Sequence, residues 1–160
     1  MRSIAAFTLL AMTLQFSAIA QQKAPITVTI STPTPVVKSG APIRIDVSVL
    51  NASDQPVRIL KALGSDGQAE FVNRVQVYDA HGKPLPHATG RHSAISRKTI
   101  PLEPGKSAND FLMLTGLYDL LNPGLYRVVV RHEFAQPNAP QADARRLFVE
   151  SNTLAITVTN

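Results

Sequence analysis

The chain has 160 residues, with 16 lysines and arginines against 11 aspartates and glutamates, and a formal net charge of +5. It contains no cysteine, which excludes a disulfide framework, a thiol nucleophile and a thiolate metal site. The basic excess is mild and no basic run interleaves with aromatics, so nucleic acid is not an expected partner.

Residues 1–20 read as a secretory signal peptide. Arg2 is the charged start, Ile4 to Leu14 is apolar apart from Thr8 and Thr13, and Ala18-Ile19-Ala20 is a small-x-small cleavage site. The run is too short to span a bilayer, and no later stretch approaches the roughly 20 apolar residues a spanning helix needs. Cleavage before Gln21 leaves residues 21–160 as one exported domain, periplasmic or extracellular, stabilised by its apolar core alone.

Twelve prolines and eight glycines punctuate segments rich in Val, Ile and Thr, which predicts short strands between turns. Ile26, Val28 and Ile30 alternate with Thr27, Thr29 and Ser31 in a first strand. Thr32 to Pro35 (TPTP) interrupts it, because proline donates nothing to a ladder. Val36-Val37 resumes it as an edge piece, and Lys38 to Pro42 turns. In IRIDVSVLN, Ile43, Ile45, Val47 and Val49 face one way against Arg44, Asp46 and Ser48, the period of a half-buried strand. Asn51 to Pro56 is a polar turn, Val57 to Leu63 a third strand, and Gly64 to Glu70 an exposed loop. Phe71 to Asp79 is a fourth strand with Val75 and Val77 on one face. Asp79 to Pro86 turns at Gly82, His87 to Arg97 is a loop or irregular edge, and Thr99 to Leu102 is short and apolar. After a turn at Glu103 to Ser107, Asp110 to Leu114 is a strand whose core face is either Phe111 and Met113 or Leu112 and Leu114.

The stretch LLNPGLYRVVVRHEF follows. Tyr126, Val128 and Val130 alternate with Arg127, Val129 and Arg131. Pro123-Gly124 predicts a tight corner where the chain crosses between sheets. Tyr126 then opens the penultimate strand with its ring buried and its hydroxyl reaching back to a backbone group, the tyrosine-corner device. Ala135 to Ala144 is a polar hairpin connection. The last strand begins at Leu147 to Glu150, bulges at Ser151-Asn152, and ends on Leu154, Ile156 and Val158. Seven to nine strands at this spacing predict an all-β, antiparallel β-sandwich of immunoglobulin-like type.

Three segments carry a resemblance: SGAPIRIDVSVLNASDQPVRIL, IPLEPGKSANDFLMLTGLYDLLNPGLYRVVVRHE and ESNTLAITV. Their strand, turn and Pro-Gly-x-Tyr order resembles immunoglobulin-like domains of exported bacterial proteins. It is similar to BsuPI-type proteinase-inhibitor domains and to the β-rich N-terminal region of deuterolysin-like metallopeptidases. The resemblance spans roughly Lys38 to Thr159 and implies a sandwich more than any activity.

Candidate chemistry is sparse. His132-Glu133 opens HEFAQ, but a zinc peptidase needs a second histidine four residues on along a helix, and here Gln136 follows on a strand about 13 Å away. His81, His87 and His92 read as loop residues rather than metal ligands, and no Gly-x-Ser-x-Gly elbow is present. Asp46, Asp119 and Glu133 read as turn or exposed strand positions. No enzymatic activity, cofactor or metal is therefore expected. Asn51-Ala52-Ser53 fits a glycosylation sequon. Arg127 and Arg131 share an outward face, and Arg58 joins them if its strand pairs as in immunoglobulin-like sheets; three guanidiniums there could receive carboxylates or phosphates.

The sequence therefore describes a monomeric, non-enzymatic exported interaction domain for a protein or cell-envelope component. It would bind through that arginine face or through the connections Gly64 to Glu70 and His81 to Arg97. The alternative is a secreted proteinase inhibitor, implied by the BsuPI-like resemblance. Its reactive loop would be Leu85 to Ser96, with Arg91 entering the protease.

Overall fold

The structure, a computed structural model, describes residues 25–63, 69–71, 73–88, 96–135 and 146–160. Among the described residues eleven strands make two sheets. The smaller sheet pairs β1 (Ile26–Ser31), β3 (Arg44–Asn51) and β8 (Ser107–Met113) antiparallel in that order. The larger is organised around β9 (Gly124–Ala135), the longest strand. One side of β9 receives β6 (Asn73–Tyr78) and the start of β4 (Val57–Leu63). The other receives β11 (Leu154–Thr159) and β10 (Arg146–Glu150). At the margins, β2 (Val36–Lys38) runs parallel to β11, and β5 (Ala69–Phe71) and β7 (Ser96–Leu102) flank β4.

Alternation in the sequence becomes burial. Ile26, Val28 and Ile30 of β1 and Ile45, Val47 and Val49 of β3 face Val128, Val130 and Phe134 of β9 and Ile156 of β11, all nearly inaccessible to water. Each such side chain contributes about 1.5–3 kcal/mol on burial. The open register of β8 resolves toward Leu112, which packs partly against the core, and Leu114, fully buried in the short 3-10 turn Leu114–Gly116. Phe111 and Met113 face outward and are exposed.

Two expected loops are partly strand. Ala69 and Glu70 pair with Leu63 and Ala62, and Ser96 and Arg97 with the same two residues from the other side, so β4 is flanked on both edges at that end. Residues 64–68 and 89–95, which hold the rest of those connections, lie outside the described residues.

Side-chain amides close the sandwich where strands stop. Asn51 is fully buried at the end of β3. Its Nδ2 donates to the carbonyls of Gln55 and Leu102, each at 2.8 Å, and its Oδ1 accepts from the Ser53 amide and hydroxyl. Its backbone joins the Glu103–Lys106 turn through Lys106 O and Gly105 N, where Gly105 takes the left-handed φ of 69° that this tight reversal requires. The sequon reading is thereby corrected: both Nδ2 hydrogens are used internally, and the nitrogen that a glycan would need is sealed.

Asn152, between β10 and β11, ties the sheets together. Its Oδ1 accepts from the Ile30 amide at 2.8 Å and its Nδ2 donates to the Ile30 carbonyl at 3.1 Å. The side chain thus satisfies the edge of β1 that β3 does not cover. Ser151 bridges the same break in the strand, its Oγ accepting from Val130 N while its own amide donates to Val130 O.

The chain crosses from β8 to β9 through residues 114–123. There the Tyr118 hydroxyl donates to Val75 O at 2.6 Å, and the Tyr126 hydroxyl donates to Asn122 O at 2.7 Å. Gly124 is the first residue of β9 and pairs with Val158; Pro123 is exposed just before it.

Asn51→Ala should cost about 2–4 kcal/mol in urea unfolding, because it strands acceptors at two turns, one of them buried at Leu102. Asn152→Ala should cost about 1–2 kcal/mol by the loss of both bonds to Ile30. The ranking Asn51 above Asn152 is the outcome to check.

Candidate functional site

The outward face of the larger sheet is built by the residues of β9 that its core side chains leave over. Tyr126, Val128, Val130, His132 and Phe134 point inward and are buried. Pleating therefore sends Leu125, Arg127, Val129, Arg131 and Glu133 outward. Cross-strand register sets their neighbours: Arg127 lies between Ala155 and Tyr78, Val129 beside Gln76, Arg131 between Glu150 and Arg74, and Glu133 beside Phe148.

The densest part is the row through Arg131. Arg74 and Arg131 are directly opposite on adjacent strands, a like-charge pairing that on its own is destabilising. Two features offset it. The Arg131 Nε meets Glu150 Oε1 at 3.2 Å, and both guanidiniums lie over the Phe148 ring, Arg74 at 4.8 Å and Arg131 at 5.7 Å from its centroid. Phe148 remains 37% exposed beneath them. Arg74 and Arg127 make no ion pair among the described residues. This positive surface continues toward an apolar end, where Leu125, Thr157 and Val36 stand side by side, with Leu125 39% and Val36 61% exposed.

Arg58 lies on the same face at a distance. It pairs with Ala135, four strand positions beyond Arg131 and eight beyond Arg127, or roughly 13 and 26 Å along the strand. The three arginines therefore share a face without forming one cluster. Arg74, which sequence reasoning passed over, occupies the place foreseen for Arg58. Its position one residue before Val75, in a strand whose Val75 and Val77 are inward, was the signal that it faces out. Arg91 and His92 lie outside the described residues. The first part of the stretch nominated as an inhibitory loop is pinned by backbone bonds from Leu85 N to Val77 O and from Ala88 N to Leu117 O.

One other reading changes. Glu133 is not an exposed strand residue. It is 2% exposed, because β9 is the sheet's central strand and Phe148 flanks it on the outer face. His87 is an exposed loop residue whose ring lies 4.6 Å from that of Tyr118, with its Nε2 3.0 Å from the Tyr118 hydroxyl. Among the described residues no three His, Cys, Asp or Glu side chains are grouped to hold a metal.

The remaining concavities are differently equipped. An open groove of about 600 Å³ crosses the smaller sheet, but its Arg44 is already engaged by Asp46 at 2.7 Å and by the Phe111 ring at 4.3 Å. A recess of about 340 Å³ at one end of the sandwich is lined by Ile43, Tyr118 and Leu120 among others, and the hydroxyl of Tyr118 is committed to Val75.

The chain matches no protein-family model and no curated protein sequence. Solved structures resemble it in fold. The C-terminal domain of wzt superposes with a TM-score of 0.50 at 12% identity, covering 86% of this chain and 75% of that one. The CARDB domain of a Pyrococcus furiosus protein, solved in complex with di-metal ions, gives 0.44 at 17% identity over 84% and 87%. An ASH/PapD-like domain of human CEP192 gives 0.46 at 16% over 94% and 99%. The fold is an immunoglobulin-like β-sandwich.

Beneath the arginine row, His132 is fully buried, with Nδ1 3.0 Å from Asn73 Oδ1. Burial lowers its pKa from 6.5 to about 4. The unfolded chain therefore takes up a proton near pH 6.5 that the folded chain refuses until about pH 4. The resulting stability is complete above pH 6.5 and is lost as the pH falls toward 4, up to about 3 kcal/mol in total. Urea titrations across this window should show the decline, and His132→Gln should flatten it.

Proposed function

We propose that this protein is a non-enzymatic exported interaction domain that presents the arginine-bearing face of its larger sheet to an anionic partner in the cell envelope or outside the cell. The observation that carries the reading is the row of Arg74 and Arg131 over Phe148, with Glu150 paired to Arg131 and no ion pair at Arg74 among the described residues. A solvated charged face needs no such arrangement. Like charges placed opposite one another and steadied on an aromatic ring form a preorganised receptor for carboxylate or phosphate. The rigid two-sheet scaffold supports the role, because the positions of these side chains are fixed by strand register rather than by loops. Export is part of the proposal and rests on Arg2, the Ile4 to Leu14 run and Ala18-Ile19-Ala20.

Two measurements test it. Mass spectrometry of the product released by the exporting cell should give an N-terminus at Gln21, and an intact Met1 would remove the export element. Cross-linking in the envelope should capture a partner with the parent protein and lose it with the Arg74→Glu, Arg131→Glu double variant. Equal capture by both would place binding elsewhere.

A further inference from the structure

We infer that the partner element recognised by this face is an extended polypeptide segment that presents acidic and apolar side chains in turn on one of its faces, an acidic residue at every fourth position with an apolar residue midway between. This rests on the reading of the arginine face given above and narrows it to one ligand chemistry. The surface is not uniformly cationic. Along the exposed part of β9 the outward order is Leu125, Arg127, Val129, Arg131, alternately apolar and positive, and the buried Glu133 follows. Exposed apolar groups bound it at both ends, Leu125 with Val36 beyond it across Thr157, and Phe148 beside Arg131. Arg127 and Arg131 are separated by four strand positions, roughly 13 Å, with half-buried Val129 between them.

A phosphate polymer would meet the guanidiniums but leave Val36, Leu125 and Phe148 in contact with polar groups or water. An extended peptide lying along the strand direction repeats its side chains at the same spacing as β9. Carboxylates four residues apart would reach Arg127 and the Arg74–Arg131 pair together, with apolar side chains over Val129 and Leu125. Charge complementarity is concentrated at the Arg74–Arg131 row, where a carboxylate opposite Glu150 would meet Arg74, which has no ion pair among the described residues.

The test uses the processed chain and a fluorescent peptide of repeating Glu-Ser-Leu-Ser, whose Glu and Leu side chains share one face when extended (the Glu-Leu peptide), followed by anisotropy. Poly-glutamate, a Lys-Leu peptide, inorganic polyphosphate and anionic phospholipid vesicles serve as the other probes. The expected result is saturable binding of the Glu-Leu peptide that weakens with salt. Poly-glutamate should bind more weakly and the Lys-Leu peptide not at all. Arg74→Glu with Arg131→Glu should weaken Glu-Leu binding roughly tenfold or more, since two attractive contacts become repulsive. Phe148→Ala and Leu125→Ser should each weaken it several-fold, and Arg44→Glu on the opposite sheet should leave it unchanged. Thermal melting of every variant separates loss of binding from loss of fold; because Arg131 pairs with Glu150, Arg127→Gln provides an independent reversal-free variant, also expected to weaken binding. Equal affinity of the parent and the double variant for the peptide would overturn the inference, as would absence of peptide binding by the folded parent. Arginine-dependent binding of polyphosphate or vesicles in place of the peptide would overturn it too, while leaving an anionic partner for this face in place.

Discussion

Pleating of one strand governs this molecule. β9 sits between two pairs of neighbours, and its inward residues hold the centre of the core. A strand so placed cannot slip by a single residue: Tyr126, Val128, Val130, His132 and Phe134 would all go to the outer face, and the arginines would be driven into the core. The cost of burying two guanidiniums there fixes the register. That same register fixes the outer surface, so the core and the candidate binding face are two readings of one alternation. Changes that loosen the core side of β9 will therefore disturb the arginine row without touching it.

Much of the architecture was legible because the sequence alternates cleanly where one strand face is wet. β1, β3 and β11 follow their patterns, and Ile26 to Ser31 matches its strand end for end. Legibility failed where tertiary contacts overrode local chemistry. Ser96 and Arg97 are polar, yet pairing with β4 draws them into a strand. Ala69 and Glu70 are recruited in the same way from the other side. Within the site, Arg127 and Arg131 were readable from the spacing of their own strand. Their neighbours were not, because the sequence carries no statement of which strand lies beside β9. That is why Arg58 was placed next to them when Arg74 occupies the position. Glu133 shows the same limit: alternation says that it faces out, and only the flanking of β9 on both edges explains why it is nevertheless buried.

Polar residues do unexpected work throughout. Asn51, Asn152 and Ser151 each sit where a strand ends or breaks, and each substitutes side-chain hydrogen bonds for the ladder that stops there. Tyr118 and Tyr126 do so in the crossing between sheets. With no disulfide available, these bonds complement the apolar core at the points where strands cannot pair. They also keep the sheets in a fixed relation, which a surface receptor made from several strands requires.

The sealing of Asn51 has a consequence for how the chain can be made. A cell whose secretory route decorates nascent polypeptides with oligosaccharides meets Asn51-Ala52-Ser53 before β3 has found its neighbours. A sugar attached at that moment would occupy the nitrogen that later grips Leu102 and Gln55, and its bulk would have to fit where water itself is excluded. The decorated product could not close its turns, so a host lacking this modification is the route to correctly assembled material.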